Sequence, residues 1–198
     1  MKRGWIVRKV WNEWTFLFIL VVVAAVLRLY RLNNPVADWH SFRQADTASV
    51  TREFVKHGID VLRPKYHDLS NIQSGKDNPQ GYRMVEFPLV NAVTAQLITL
   101  FGLQKQEDVM GRMVSVSYSL VTLLALYLLV RELSGKTAAF FAAGAFAILP
   151  YAVYYSRVIL PEPAVLASLT TALASTVYWR KTRHPALFLV MVMSFAES

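Results

Sequence analysis

Ten residues near the start of the chain carry an unusual density of ionisable side chains. The stretch DWHSFRQADT contains Asp38, His40, Arg43 and Asp46, and it follows a long apolar run. A carboxylate there could accept a proton from an attacking hydroxyl, and arginine is the natural bidentate partner of a phosphate. Ionisable groups beside an apolar medium cost free energy unless they are paired or used. The stretch is therefore a candidate site, with Arg43 favoured over His40 as the phosphate contact.

Two later segments carry comparable chemistry. In YYSRVILPEP, Arg157 could bind a phosphate and Glu162 could act as an acid or base; alternatively, Glu162 is the acidic first turn of a helix that a proline starts. Glu86 precedes the apolar run FPLV, where it is either a first-turn helix charge or a site carboxylate. Asp46 has an alternative as well. It could be the N-cap of a short helix that Gly58 ends.

The templates of soluble enzymes are absent from the sequence. There is no glycine-rich phosphate loop, no His-x-x-x-His pair and no serine nucleophile elbow. The four histidines are scattered and cysteine is absent, which excludes thiolate metal sites. Carboxylates could hold a divalent cation, although nothing in the pattern requires one. We therefore predict no metal site and no required cofactor.

Composition places these residues in a membrane protein. Apolar residues make up 55% of the chain and charged residues only 17%, and the apolar residues form long blocks. The net charge is +8, but lysine and arginine cluster beside the apolar blocks, which favours topology signals and lipid headgroups over nucleic acid. We predict an all-α integral membrane protein, a multi-span helical bundle with a long first extracytoplasmic loop that carries short interfacial helices.

The apolar blocks define the predicted spans. The first is retained rather than cleaved, since no A-x-A site follows it, and Arg28 is expected to snorkel to the surface. Pro150 should kink the third span near one end. The last block is too short to cross a bilayer, so we interpret the chain as the N-terminal part of a longer transmembrane domain. The predicted spans cover about residues 12–30, 113–130, 137–155, 162–179 and, incompletely, 185–198.

Charge asymmetry orients these spans. Basic residues before the first span place the N-terminus in the cytoplasm, and the turns RELSGK and WRKTRH are basic as well. If residues 87–102 crossed the membrane fully, both turns would fall outside, against the rule. We therefore predict an interfacial or re-entrant segment there, within an outer loop of residues 31–112. In this topology the outer loop and YYSRVILPEP lie on the same extracytoplasmic face.

The ordered set of motifs resembles a known family. The motifs are HSFRQADTASVTREF, GYRMVEFPLVNAVTAQLITLFG, GRMVSVSYSLVTLLALYLLVREL and AILPYAVYYSRVILPEPAVL. Together they are similar to the polyprenol-phosphate-sugar glycosyltransferases of the type C fold. These family 39-like enzymes include the protein O-mannosyltransferases and the lipid A aminoarabinose transferases.

The resemblance implies inverting transfer of a sugar from a polyprenyl-phosphate-linked donor to a hydroxyl of a glycan, lipid or protein acceptor. It implies a first-loop general base, Asp46 or Asp38, and a second-loop acid, Glu162, with Arg157 beside it. Many relatives carry an Asp-Glu pair in the first loop; here Asp38–Trp39 and Ala45–Asp46 stand instead, and we favour Asp46. Glu86 falls where some relatives carry an acidic residue. We expect a bacterial inner membrane location, and we expect the fragment alone to be inactive.

Two other classes of protein remain as alternatives. A transporter component would use charges near the bilayer centre, whereas the charges here gather at the outer ends of the predicted spans. A non-catalytic membrane scaffold would carry the same residues without turnover. The sequence names neither the sugar nor the acceptor.

Overall fold

The computed structural model describes residues 3–36, 40–71 and 75–197. Regular structure in these ranges is helical, apart from an isolated antiparallel bridge between Lys65 and Tyr82. This confirms the predicted all-α class. The helices are α1 (Arg3–Leu29), α2 (Ser41–His57), α3 (Leu89–Phe101), α4 (Glu107–Ile148), α5 (Pro150–Tyr155), α6 (Glu162–Thr182) and α7 (Pro185–Glu197), with a short 3₁₀ helix at Gln104–Gln106.

One helical segment among the described residues, Gln104–Ile148, is long and apolar enough to cross a membrane. Within it, Gly135 has φ 84° and ψ 173°, a backbone conformation that is essentially restricted to glycine. The glycine interrupts α4 between the predicted spans 113–130 and 137–155. Pro150 starts α5 at its first turn, as expected for a residue without a backbone N–H donor. The arrangement with several spans stays a prediction.

The chain forms two compact units. The first unit comprises Met1–Tyr30, Val116–Ser156 and Pro163–Ser198, and the second comprises Arg31–Ser115 with Arg157–Glu162. The candidate residues that the structure describes all belong to the second unit. Candidate residues that are far apart in sequence therefore lie in the same unit, because the short segment before α6 belongs to the unit formed by the outer-loop region.

The core of the first unit is built from small and aromatic side chains of α1 and α4. Buried alanines at 139, 143 and 147 let the helices approach closely around Leu123 and Tyr127. At the end of α1, Arg28 is fully buried and donates hydrogen bonds to the carbonyl oxygens of Ala24, Phe146 and Ala147. The expectation that Arg28 snorkels to the surface is therefore wrong. Helix carbonyl groups accept hydrogen bonds from its Nη1 and Nη2 atoms instead.

The second unit is organised by the packing of α2 on α3. Val50, Phe54 and Ala95 form its buried apolar cluster. Beside this cluster, the buried Asn91 side chain donates to the Thr47 carbonyl oxygen at 2.7 Å and to Thr51 Oγ1 at 3.0 Å. An amide buried in this way would be costly without partners, so these bonds fix the register of α3 against α2.

Two helix boundaries decide between alternatives that the sequence left open. Because α2 begins at Ser41, with His40 in the left-handed conformation before it, Asp46 lies inside the helix. The N-cap interpretation of Asp46 is wrong. Likewise, α3 begins at Leu89, so Glu86 precedes its first turn and is not a first-turn helix charge. Gly58 does end α2, as predicted.

The exposed side of α3 carries several large apolar side chains. Val93, Leu100 and Phe101 are exposed together with Gln96 and Thr99, whereas Asn91, Thr94, Ala95 and Ile98 are buried. A helix that faces water normally places polar residues outward. The exposed side of α3 is thus more apolar than is usual for a helix that faces water.

Candidate active site

Arg43 links two carboxylates that are distant in sequence. Its Nη2 donates to Glu86 Oε1 at 2.8 Å, and its Nη1 lies 2.5 Å from Glu162 Oε1. The planar guanidinium presents donors in two directions, which allows one side chain to bind both acids. The Arg43 and Glu162 side chains are 44% and 47% exposed, so an incoming anion could reach them.

A second ion pair lies one helical turn further along α2. Arg83 Nη1 donates to Asp46 Oδ2 at 2.9 Å, and these side chains are only 12% and 15% exposed. Arg43 and Asp46 are three residues apart and share one face of α2. Arg83 and Glu86 are also three residues apart. The pairs Arg43–Glu86 and Arg83–Asp46 therefore lie side by side and connect α2 to the segment before α3.

The turns of the outer loop hold Arg83 in place. The Lys65–Tyr82 bridge is flanked by a bond from the Arg83 N–H to the Pro64 carbonyl oxygen, 2.9 Å long. Gly81 closes the turn at φ 65°, and a Cβ atom there would lie 2.7 Å from the Tyr66 carbonyl oxygen. Only glycine fits where the chain passes so close to the Tyr66 carbonyl oxygen. Gly81 thus allows the segments on the two sides of the turn to lie next to each other.

Buried hydrogen bonds bring the segment before α6 to the same place. Gln44, the residue after Arg43, is fully buried and its Oε1 accepts a bond from the Ile159 N–H at 3.2 Å. Ser115 Oγ donates to the Val158 carbonyl oxygen at 2.7 Å. These contacts anchor the segment, so that Glu162 at the start of α6 meets Arg43. Glu162 is therefore both a first-turn acid, as one alternative predicted, and a partner of Arg43.

The electrostatics of the two pairs differ. Burial raises the pKa of Asp46; the charge of Arg83 opposes this effect, and the charge of Asp68 adds to it. The pKa of Arg43 is raised, mainly by its hydrogen bond to Glu86. Arg43 therefore stays cationic, while Asp46 holds its proton more readily than an ordinary aspartate. A carboxylate with a raised pKa is a stronger base once it is ionised.

The remaining predicted residues have different outcomes. Asp38 lies outside the described residues. Arg157 is partly buried in the second unit, in the segment that ends at Glu162. Among the residues that the structure describes, no three histidine, aspartate or glutamate side chains are placed to hold a metal ion.

Arg83 was missed by the sequence analysis. The signal available for it was a basic residue three positions before Glu86, in the stretch that leads into an apolar run. That signal is weak, because a surface loop rich in charged residues shows the same spacing.

This arrangement can bind an anion and move a proton. Arg43 is accessible and held between two carboxylates that a phosphate could displace, and Asp46 is an enclosed carboxylate one turn away.

Comparison with known proteins bears on the same question. The sequence model of the dolichyl-phosphate-mannose-protein mannosyltransferase family matches residues 85–196. That range covers more than half of the chain. The chain belongs to this family.

The dolichyl-phosphate-mannose-protein mannosyltransferase family consists of membrane glycosyltransferases that use polyprenol-phosphate-sugar donors. The matched range contains Glu86, Arg157 and Glu162, whereas Arg43, Asp46 and Arg83 precede it. The first half of the candidate site thus rests on geometry alone. No curated protein sequence and no solved structure is significantly similar to the chain.

Proposed function

We propose that the protein transfers a sugar from a polyprenyl-phosphate-linked donor to an acceptor hydroxyl, with inversion, at the extracytoplasmic face of a membrane. The observation that carries this proposal is the double contact of Arg43 with Glu86 and Glu162, side chains from three separate parts of the sequence. Such convergence beside an enclosed aspartate fits a site for a phosphate-bearing substrate.

In the proposed reaction, Asp46 takes the proton from the acceptor hydroxyl as the oxygen attacks the anomeric carbon. The bond from that carbon to the phosphate oxygen breaks, and its electron pair stays on the lipid phosphate. Arg43 stabilises the departing phosphate, with Arg157 as a further cation. The positive charge is already in place before the reaction, so little reorganisation is required.

Glu86 and Glu162 gain a role in the proposed reaction when a phosphate replaces them as the partner of Arg43. A phosphate that binds Arg43 replaces one or both carboxylates, which leaves them free to accept hydrogen bonds from sugar or acceptor hydroxyl groups. The site would therefore assemble around the donor, and the ion pairs would keep Arg43 oriented beforehand.

The proposed membrane placement follows the predicted topology of five spans with a cytoplasmic N-terminus. The apolar outward face of α3 supports an interfacial or re-entrant position for residues 87–102. That position would set the candidate site at the lipid surface, where a lipid-linked donor and membrane lipids meet it. The acceptor class, whether glycan, lipid or protein, stays open.

The test is Asp46→Asn in the full-length protein in lipid membranes, with turnover of a polyprenyl-phosphate sugar as the readout. We expect transfer to fall by about 10²- to 10⁴-fold, as for loss of a general base, with membrane insertion unchanged. Asp77→Asn is the matched control, because Asp77 is an exposed aspartate of the same loop. Near-normal transfer by Asp46→Asn would exclude Asp46 as the base. Full retention of transfer after substitution of both Asp46 and Glu162 would assign the chemistry to other residues, whereas an absence of turnover in the wild-type protein would favour a scaffold.

A further inference from the structure

A cavity of about 400 Å³ lies in the second unit, at the end of α2. Its volume falls within the range of small-molecule binding sites. Neither Arg43 nor Asp46 belongs to its lining, so the cavity is separate from the ion pairs of the candidate active site. The side chains that line it are mainly charged or polar. They include Glu53, His57, Asp60, Arg63, Lys65 and Tyr82.

Glu53 is held in a fixed orientation at the wall of this cavity. Its Oε2 lies 3.0 Å from His57 Nδ1, and its Oε1 lies 3.0 Å from His67 Nε2. An ionised carboxylate has about four acceptor positions, and the two histidines use two of them. The other positions can accept hydrogen bonds from the hydroxyl groups of a ligand. Because the carboxylate is already oriented, binding would immobilise it further at little cost in entropy.

The charges around the cavity largely cancel. Arg63 Nε donates to Asp60 Oδ2 at 3.0 Å, so these two side chains neutralise each other. With His57 neutral, the negative Glu53 and the positive Lys65 balance as well. A cleft lined by one sign of charge concentrates ions of the opposite sign, and this cavity has no such excess. It therefore favours an uncharged ligand over a phosphate or a carboxylate.

Aromatic surface completes the lining. Phe54 and Tyr82 both border the cavity, and Lys65 Nζ lies 5.6 Å from the centroid of the Tyr82 ring. A pyranose has hydroxyl groups around its edge and polarised C–H groups on its faces. The C–H groups fit against an aromatic ring, and the hydroxyl groups fit carboxylate, imidazole and ammonium partners. The lining therefore matches a neutral sugar unit.

The cavity has a defined relation to the candidate base. Glu53 follows Asp46 by seven residues in α2, so the two carboxylates lie on the same side of the helix and about 10 Å apart along its axis. Tyr82 directly precedes Arg83, which binds Asp46. A sugar unit in the cavity would thus lie at the distance of a neighbouring unit of the same glycan, not of the unit that reacts at Asp46.

We propose that this cavity binds a neutral sugar unit of the acceptor, next to the unit whose hydroxyl is glycosylated, and that the acceptor is therefore a glycan. The inference rests on the proposed function and adds the class of acceptor. The cavity residues make no bond to the reacting atoms. They hold the acceptor so that its reactive hydroxyl meets Asp46.

The test measures binding of the full-length protein in lipid nanodiscs to an array of neutral and acidic oligosaccharides. We expect neutral oligosaccharides to bind the wild-type protein, and Tyr82→Leu to weaken their binding by about tenfold through loss of the aromatic ring. Phe101→Leu is the matched control, because Phe101 is a 63% exposed aromatic residue of the second unit that lies outside the cavity. Lys65→Gln changes only an exposed side chain and should weaken binding by about three- to tenfold, even if Tyr82→Leu disturbs the turn.

Two results would overturn the inference directly. One is that the wild-type protein binds acidic oligosaccharides alone or none of the array. The other is that Tyr82→Leu, Lys65→Gln and Phe101→Leu all bind neutral oligosaccharides equally well. Wild-type protein that transfers sugar only to acceptors without a glycan would overturn the inference and leave the proposed function intact. Wild-type protein that binds neutral glycans but transfers no sugar from a polyprenyl-phosphate donor would overturn the proposed function instead.

Discussion

Arg83 and Asp46 form an enclosed ion pair, with Nη1 of the arginine 2.9 Å from Oδ2 of the aspartate. Burial raises the pKa of Asp46, and Arg83 is the nearest group that lowers it. The arginine therefore offsets part of the effect of burial on the pKa of Asp46. Residues 46 and 83 meet because the turns of the outer loop lie along α2.

Replacing Arg83 by methionine should shift the pH dependence of transfer. In the proposed reaction, transfer requires ionised Asp46, and the raised pKa of Asp46 places the acid limb of kcat/KM above the ordinary aspartate value of 3.8. Without Arg83 the pKa of Asp46 rises further. On acidification, the variant should therefore lose activity at a higher pH than the wild-type protein does. Arg63→Met is the control, because Arg63 is 70% exposed and pairs with Asp60. An acid limb that stays in place in Arg83→Met would contradict this account.

Replacing Arg43 should weaken binding of the donor. Arg43→Gln removes the charged donors that would hold a phosphate, and we expect KM for the donor to rise by about 10- to 100-fold. Arg43→Lys should lie between, because an ammonium keeps the charge but lacks the planar fork. Lys56→Gln, an exposed basic residue of the same helix, serves as control. A fall in kcat at unchanged KM would show that Arg43 does not hold the donor in its ground state.

Gln44→Leu should destabilise the second unit and displace Glu162. The substitution leaves the buried Ile159 N–H without its acceptor, which costs about 1–3 kcal/mol of unfolding free energy. Thermal unfolding measures this loss, and transfer should fall with it. Gln96→Leu is the comparison, since Gln96 is exposed on α3 and its replacement should change stability by less than about 0.5 kcal/mol. Equal effects of the two variants would show that the Ile159 contact is unimportant.

Gly81→Ala should disturb Arg83 from a distance. Both Gly81 and Gly75 have positive φ, so alanine at either position costs about 1–2 kcal/mol from backbone strain. At Gly81 the new Cβ would also lie 2.7 Å from the Tyr66 carbonyl oxygen, whereas no atom lies within 4 Å at Gly75. Transfer should therefore drop in Gly81→Ala and persist in Gly75→Ala. Equal activity of both variants would show that the turn at Gly81 does not influence the candidate site.

Several features of the fold follow from local sequence. Gly58 ends α2, Pro150 and Pro185 begin helices, and the apolar runs coincide with the long helices. These features depend on backbone conformation and on apolar periodicity, which a few neighbouring residues determine. The candidate residues Arg43, Glu86 and Glu162 were likewise recognisable, because charge beside apolar runs is visible in the sequence alone.

Only the tertiary structure decided how these residues pair. The sequence could not show that Arg43 bridges Glu86 and Glu162, that Arg83 holds Asp46, or that Arg28 is buried against helix carbonyl groups. Each of these contacts joins residues far apart in the chain, and their distance depends on how α2, α3 and the segment before α6 pack. Contacts such as Gln44 with Ile159 set that packing, and no local pattern encodes them.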